Sequence, residues 1–145
     1  MDFLGNSTSK KQGNFPFQLT DAQWHDRLSL DAYRVLRQEG TEPAFTSPLN
    51  DEKRKGVFHC AGCDQALYLS DHKFNSGTGW PSFWQPVSDA AVGMSTDYKI
   101  GLPRTSLHCS NCGGHLGHVF DDGPPPTGKR HCINGVCLTF KPFEN

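Results

Sequence analysis

Cys60-Ala61-Gly62-Cys63 and Cys109-Ser110-Asn111-Cys112-Gly113-Gly114 are two C-x-x-C turns set far apart in the chain. Two residues between thiolates let a tight turn aim both sulfurs at one ion while the turn's amides donate to them. Gly62, Gly113 and Gly114 suit the positive φ that such turns use. Two turns facing each other make a closed tetrahedral site of four thiolates. No position is left for water, so the expected ion is one structural zinc. The stretch between the pairs is longer than in a simple zinc ribbon, so the ion joins two distant hairpins. A redox C-x-x-C of the thioredoxin type opens a helix in a βαβ unit, and neither pair has that setting. A pair of disulfides is the other use of such cysteines.

The sequence around the turns reads as short strands. Val57-Phe58, Ala66 to Ser70, Val92 to Ser95, Leu102 to Leu107, Leu116 to Phe120 and Arg130 to Phe140 are apolar or β-branched runs separated by Gly, Pro, Asp and Asn. Fifteen Gly and ten Pro in 145 residues argue against a helical bundle. Upstream, Thr20 and Gln23 form a capping box for a helix over about Asp21 to Leu28, with Trp24 and Leu28 on one face. Ser29 caps a second helix in which Leu30, Tyr33 and Leu36 recur, and Gly40 ends it. The reading is mainly β: antiparallel strands preceded by two short helices. One domain is expected over residues 19–145. A largely mobile tail is expected over 1–18, anchored near Phe15 to Leu19. Asn50 to Lys55 reads as a solvated charged turn.

The net charge of −1 offers no general pull toward nucleic acid or anionic lipid. No run of about 18 apolar residues is present, which argues against a membrane-spanning helix. The opening MDFLGNSTSKKQGN has no basic stretch followed by an apolar one, so no secretory signal is read and the Asn6 sequon is a chance match. A cytoplasmic location follows as the expectation. There thiols stay reduced, and six cysteines must be ligands or reactive groups.

Four ligands leave Cys132 and Cys137. On a strand over Arg130 to Phe140, Arg130, Cys132 and Asn134 share one face while His131, Ile133 and Gly135 take the other. A guanidinium beside a thiol favours the nucleophilic thiolate, and a carboxamide can orient a polar substrate. A buried structural thiol is the commoner fate of a free cysteine, above all for Cys137 between Val136 and Leu138. His115 and His118 would face opposite ways on a regular strand, but Gly117 permits a bulge that brings both to one side. They could then serve as acid or base, although a surface histidine or a metal ligand explains His-x-x-His as well. Asp121-Asp122-Gly123 and the prolines after it read as a connector. In Phe74 to Trp84, glycines and Pro81 hold Trp80 in a fixed extended loop, and Phe83 and Trp84 read as core.

The double C-x-x-C, Gly77-Thr78-Gly79-Trp80-Pro81-Ser82-Phe83, His115-Leu116-Gly117-His118-Val119-Phe120-Asp121-Asp122-Gly123 and Arg130-His131-Cys132-Ile133-Asn134 occur in one order. Together they resemble the B-type methionine-R-sulfoxide reductases, from Leu19 to Phe140. The resemblance implies two antiparallel sheets in a tent-like arrangement, with one zinc ion on Cys60, Cys63, Cys109 and Cys112 away from the active site. It implies a thiol-dependent oxidoreductase that repairs oxidised methionine, free or in proteins. Cys132 would attack the sulfoxide sulfur, and His118 with His115 would protonate its oxygen. Asn134 would contact the reacting centre, and Trp80, Phe120 and Arg130 would bind substrate. Cys132 would be left as a sulfenic acid. Thioredoxin or a small thiol would regenerate it, and no nucleic acid, membrane or second copy of the chain is expected as partner.

The chain departs from the resemblance at one point. Many members carry a resolving cysteine where Thr78 stands here, and no cysteine precedes Cys60. Cys137 is then the only free candidate, but five residues along one extended strand it would point away from Cys132. A non-enzymatic zinc-stabilised β domain that binds a protein partner is the competing class. It leaves Arg130, Cys132, Asn134 and the two histidines without a task. A zinc-ribbon nucleic-acid binder fits the charge balance poorly.

Overall fold

A computed structural model describes residues 15–144 of the chain. The expected tail over 1–18 therefore lies, as far as residue 14, outside the described residues, as does the Asn6 sequon. Phe15 and Phe17 are already docked on the second C-x-x-C turn. Phe15 packs edge-on against His108 at 5.4 Å, and the Phe17 amide donates to the Asn111 carbonyl at 2.9 Å.

The first helix among the described residues, α1 (Asp21–Arg27), starts at the expected capping box, with the Gln23 amide on Thr20 Oγ1 (3.1 Å) and the Thr20 amide on Gln23 Oε1 (2.9 Å). Its one buried side chain is Trp24. Ser29 caps α2 (Leu30–Gln38) by accepting from the Ala32 amide. The buried face of α2 is Ala32, Tyr33, Val35 and Leu36, whereas Leu30 in the first turn is exposed. Gly40 is not the left-handed residue that ends this helix. Glu39 takes that conformation at φ 56°, and the Gly40 amide closes the turn onto the Arg34 carbonyl.

Among the described residues nine strands follow: β1 (Gly56–Cys60), β2 (Ala66–Leu69), β3 (Lys73–Phe74), β4 (Ser82–Phe83), β5 (Val92–Asp97), β6 (Arg104–Cys109), β7 (His115–Phe120), β8 (Arg130–Ile133) and β9 (Leu138–Pro142). They form two antiparallel sheets, one in the order β2-β1-β9 and one in the order β3-β4-β8-β7-β6-β5. This is the expected mainly β, two-sheet architecture. The 130–140 run, however, is not one strand. After Ile133 the chain makes a short 3-10 turn over Gly135–Cys137 and crosses from the larger sheet to the smaller. β3 and β4 were not anticipated, because two-residue strands carry no periodicity.

The core fills the space between the sheets and under α2. Phe83 stacks on Tyr68 at 4.4 Å and meets Phe58 at 5.1 Å, so Phe83 is core, as expected. Tyr68 and His131, both buried, share a hydrogen bond of 2.9 Å. Burial pushes His131 down to about 4, so the histidine next to Cys132 in sequence is a neutral core group on the opposite face of β8. Asn50 to Lys55 is more than a solvated turn. The Asn50 amide nitrogen donates to the Gly79 carbonyl at 3.0 Å and helps hold the loop that carries Trp80. Among the described residues no helix is long and apolar enough to cross a membrane.

Candidate active site

The metal centre is built from two matched turns. In each, the amide of the residue after the second cysteine donates to the carbonyl of the first: Asp64 to Cys60 and Gly113 to Cys109, both at 2.8 Å. These two residues take the left-handed conformation, at φ 71° and 76°. Gly62 and Gly114 do not; they are small because other groups come close. A methyl on Gly62 would stand 3.2 Å from the Trp24 ring, and one on Gly114 2.7 Å from Leu36. The four sulfurs lie within 4.8 Å of one another, with Cys60 to Cys112 at 3.8 Å and Cys63 to Cys109 at 3.5 Å. Zinc–sulfur bonds of about 2.3 Å in a tetrahedron separate the sulfurs by roughly 3.8 Å, so the donor set fits zinc. The Gly62 amide donates to Cys60 Sγ at 3.4 Å. The helices brace the site from outside: Arg27 donates to the Gly62 carbonyl, and Arg37 donates to the Cys112 carbonyl and covers the Trp24 ring at 4.4 Å.

The second site lies on one face of β7 and β8. The register sets His118 directly opposite Cys132 and Phe120 opposite Arg130, and on the other side of β8 it sets Ser82 opposite Cys132. Directly opposed residues on neighbouring strands place their side chains on the same face. The expected bulge is present, but Leu116 is the extra residue: Leu107 pairs with Gly117 and His108 with His115. It brings both histidine rings to one side, 5.3 Å apart. Gly117 serves another purpose. A methyl there would collide with the Cys132 carbonyl oxygen, so the glycine lets β7 lie against the strand that carries the thiol. Gly117→Ala is expected to cost about 3 kcal/mol of stability and to displace Cys132. Denaturant melts and turnover of the variant measure both.

A cavity of about 270 Å³ opens over this face. Cys132, His118, Gly117, Phe120, Arg130 and Asn134 line it from β7, β8 and the residue after β8, and Thr78 and Trp80 line it from the loop before β4. The Trp80 indole is fixed by donation to the Glu42 carbonyl at 3.0 Å. Arg130 lies over the Phe120 ring at 4.4 Å, and both its Nε and Nη2 donate to Asp122 at 2.9 and 3.2 Å. Asp122 is therefore more than part of a connector. His115 stands behind His118, buried, with Nδ1 at 3.2 Å from Ser106 Oγ, and is not among the lining residues. Both polar ends of the Asn134 side chain are tied to the protein. Its oxygen accepts from the Glu42 amide and its nitrogen donates to the Leu116 carbonyl, each at 2.9 Å.

Three partners were missed in the sequence. Asp97 Oδ2 meets His118 Nε2 at 2.8 Å, and its Oδ1 meets Arg104 Nε at 3.3 Å. Burial works to raise the Asp97 carboxyl, but the hydrogen bond with His118, the Lys99 amide and Arg104 hold it below the usual value. Glu42 is the third. Its two carboxylate oxygens accept from the Gly135 and Val136 amides at 2.8 and 2.9 Å, while its backbone holds Trp80 and Asn134. No motif signals it, since Glu42 lies in an irregular segment.

The thiols differ in kind. Cys137 is fully buried, its thiol donates to the His115 carbonyl at 3.4 Å, and burial pushes it well above the ordinary thiol range. Burial also raises the half-buried Cys132. Arg130 and the Thr78 hydroxyl act in the opposite direction but do not reverse the shift. Arg130 thus favours the thiolate, as its position suggests, but burial of the thiol outweighs it. The resting protein therefore holds Cys132 mainly as a thiol at neutral pH. Alkylation of Cys132, followed by peptide mass spectrometry, should still be speeding up with pH at pH 9. A plateau already reached below pH 8 would contradict the raised value.

Comparison with known proteins agrees with this geometry. Residues 28–142 match the SelR domain family. The chain is 51% identical to the peptide methionine sulfoxide reductase MsrB of Agrobacterium fabrum, over 85% of this chain and 91% of that one. It is 50% identical to the MsrB of Methanosarcina barkeri, over 86% and 88%. It is 49% identical to the chloroplastic peptide methionine sulfoxide reductase B1 of Oryza sativa subsp. japonica, over 88% of this chain and 60% of that one. With both C-x-x-C turns closed on one another and Cys132 lining the cavity, the chain belongs to the SelR-domain family of MsrB-type methionine sulfoxide reductases.

Proposed function

We infer that this chain reduces the R epimer of methionine sulfoxide to methionine. The reading rests on the β7–β8 register, which sets His118 opposite Cys132 under a cavity walled by Trp80 and Phe120. The oxidised side chain enters with its methyl group against Trp80, where a carbon beside sulfur packs well on an aromatic face. Cys132 Sγ attacks the sulfoxide sulfur. The oxygen takes a proton from His118 and passes to Cys132 as a sulfenic acid, and the proton lost by the Cys132 thiol replaces the one His118 gave. Methionine leaves reduced by two electrons, and Cys132 is oxidised by two. Asp97 holds the His118 ring in place through Nε2. His115 and Asn134 support this face from behind, and Arg130 with Phe120 forms its outer wall. Methyl, oxygen and lone pair must each meet a different wall in the transition state, and this selects one epimer.

Regeneration uses an external thiol. One thiol condenses with the Cys132 sulfenic acid to a mixed disulfide and releases water; a second displaces it and restores Cys132. Thr78 occupies the cavity edge and Cys137 is locked in the core, which favours direct attack by a small thiol or by thioredoxin. The zinc supplies folding energy and has no part in the steps.

The test is turnover of dabsylated methionine sulfoxide epimers with dithiothreitol. The R epimer should react and the S epimer should be slower by at least about 100-fold. Zinc-loaded, folded protein that leaves the R epimer untouched would favour a binding module instead.

A further inference from the structure

The turn between β5 and β6, residues 98–103, carries three exposed apolar side chains: Tyr98 (67% exposed), Ile100 (60%) and Leu102 (66%). Apolar groups clustered in this way at a loop tip are unfavourable in water and mark a contact surface when something apolar is brought to them. The position of the turn says what is brought. Its two ends belong to the active site: Asp97 holds His118, and Arg104 lines the cavity. Its middle is pinned beside the same opening, because Lys99 Nζ donates to the Glu39 carbonyl at 2.7 Å, next to Gly40 and the cavity-lining Thr41. Met94, also exposed, is an odd number of residues from Asp97 on β5 and points to the opposite face. It is not part of this surface.

We propose that the 98–103 turn is the docking rim for an extended polypeptide whose oxidised methionine occupies the Cys132 cavity. The proposal rests on the function inferred above and adds where the rest of the substrate lies. A cavity of about 270 Å³ takes one side chain. The backbone on either side must then run over the mouth, and at about 3.3 Å per residue a few flanking residues cover the turn. Flanking apolar residues, which folded proteins normally bury, would meet Tyr98, Ile100 and Leu102. The rim therefore gives a polypeptide with apolar flanks contacts that the free amino acid lacks.

The experiment compares two substrates on two proteins, with dithiothreitol as reductant so that no protein reductant is involved. The substrates are N-acetyl-methionine-R-sulfoxide and a peptide with Leu and Phe flanking methionine-R-sulfoxide. The proteins are the wild type and the triple variant Tyr98→Ser, Ile100→Ser, Leu102→Ser. The variant should lose about tenfold in kcat/KM on the peptide, equivalent to about 1.4 kcal/mol, and change less than twofold on the small substrate. The loss should fall in KM. An equal loss on both substrates, or none on either, would overturn the rim. If the wild type fails on both substrates, the proposed function itself is wrong, an outcome separate from these. The single variant Leu102→Ser repeats the comparison with less disturbance of the turn and should give a smaller loss of the same selectivity.

Discussion

Cys109→Ser should yield a protein with no bound zinc and little native structure. The four sulfurs lie within 4.8 Å of one another and the metal alone reconciles them, since thiolates that close repel. A structural zinc contributes on the order of 10 kcal/mol to folding, and a domain of this size is stable by roughly 5–15 kcal/mol in total. The two turns tie β1, β6 and both helices together, so losing the ion opens the core from one end. Cys137→Ser is the control. Its side chain is equally buried, but its one polar contact among the described residues, donation to the His115 carbonyl, is one a serine hydroxyl can also make. It should remain folded with zinc bound. Metal content and far-UV circular dichroism of the two variants decide the matter, and a folded, cooperative Cys109→Ser protein would contradict the role given to the ion.

The parts of this fold legible in the sequence were those with a local physical signature. Thr20 and Gln23 announce α1 because a capping box is chemistry within four residues, and the C-x-x-C pairs announce the metal because ligand spacing is equally local. The Arg130/Cys132/Asn134 face was legible from strand alternation over the residues where a strand exists. It failed past Ile133, because the turn that breaks the strand is stabilised by Glu42, far upstream. Nothing in Asn134-Gly135-Val136-Cys137 itself announces the crossover. The bulge between the histidines was legible, but the residue that bulges was not, since Gly117 is small to admit the Cys132 backbone. Asp97 and Asp122 were invisible as well. Each acts on a residue brought near only by sheet pairing.

Cys132→Ser should abolish turnover, with a loss of at least about 10⁴-fold, while leaving zinc content and thermal stability close to the wild type. Serine is nearly the same size, and at this half-buried position a hydroxyl costs little. Its oxygen is far less nucleophilic, and it cannot pass to the sulfenic state. His118, Asp97 and the aromatic walls remain in place, so substrate should still bind. A loss of only a few-fold would mean that the chemistry is carried by another group, and the remaining free thiol, Cys137, is shielded from solvent.

The most direct measurement is the oxidation state of each cysteine after one exposure to excess methionine-R-sulfoxide without reductant. Dimedone trapping and peptide mass spectrometry report it. The expected result is one dimedone adduct per chain, on Cys132, with Cys137 still a thiol. A quantitative disulfide between Cys132 and Cys137, or an unmodified Cys132 after methionine has formed, would contradict the account.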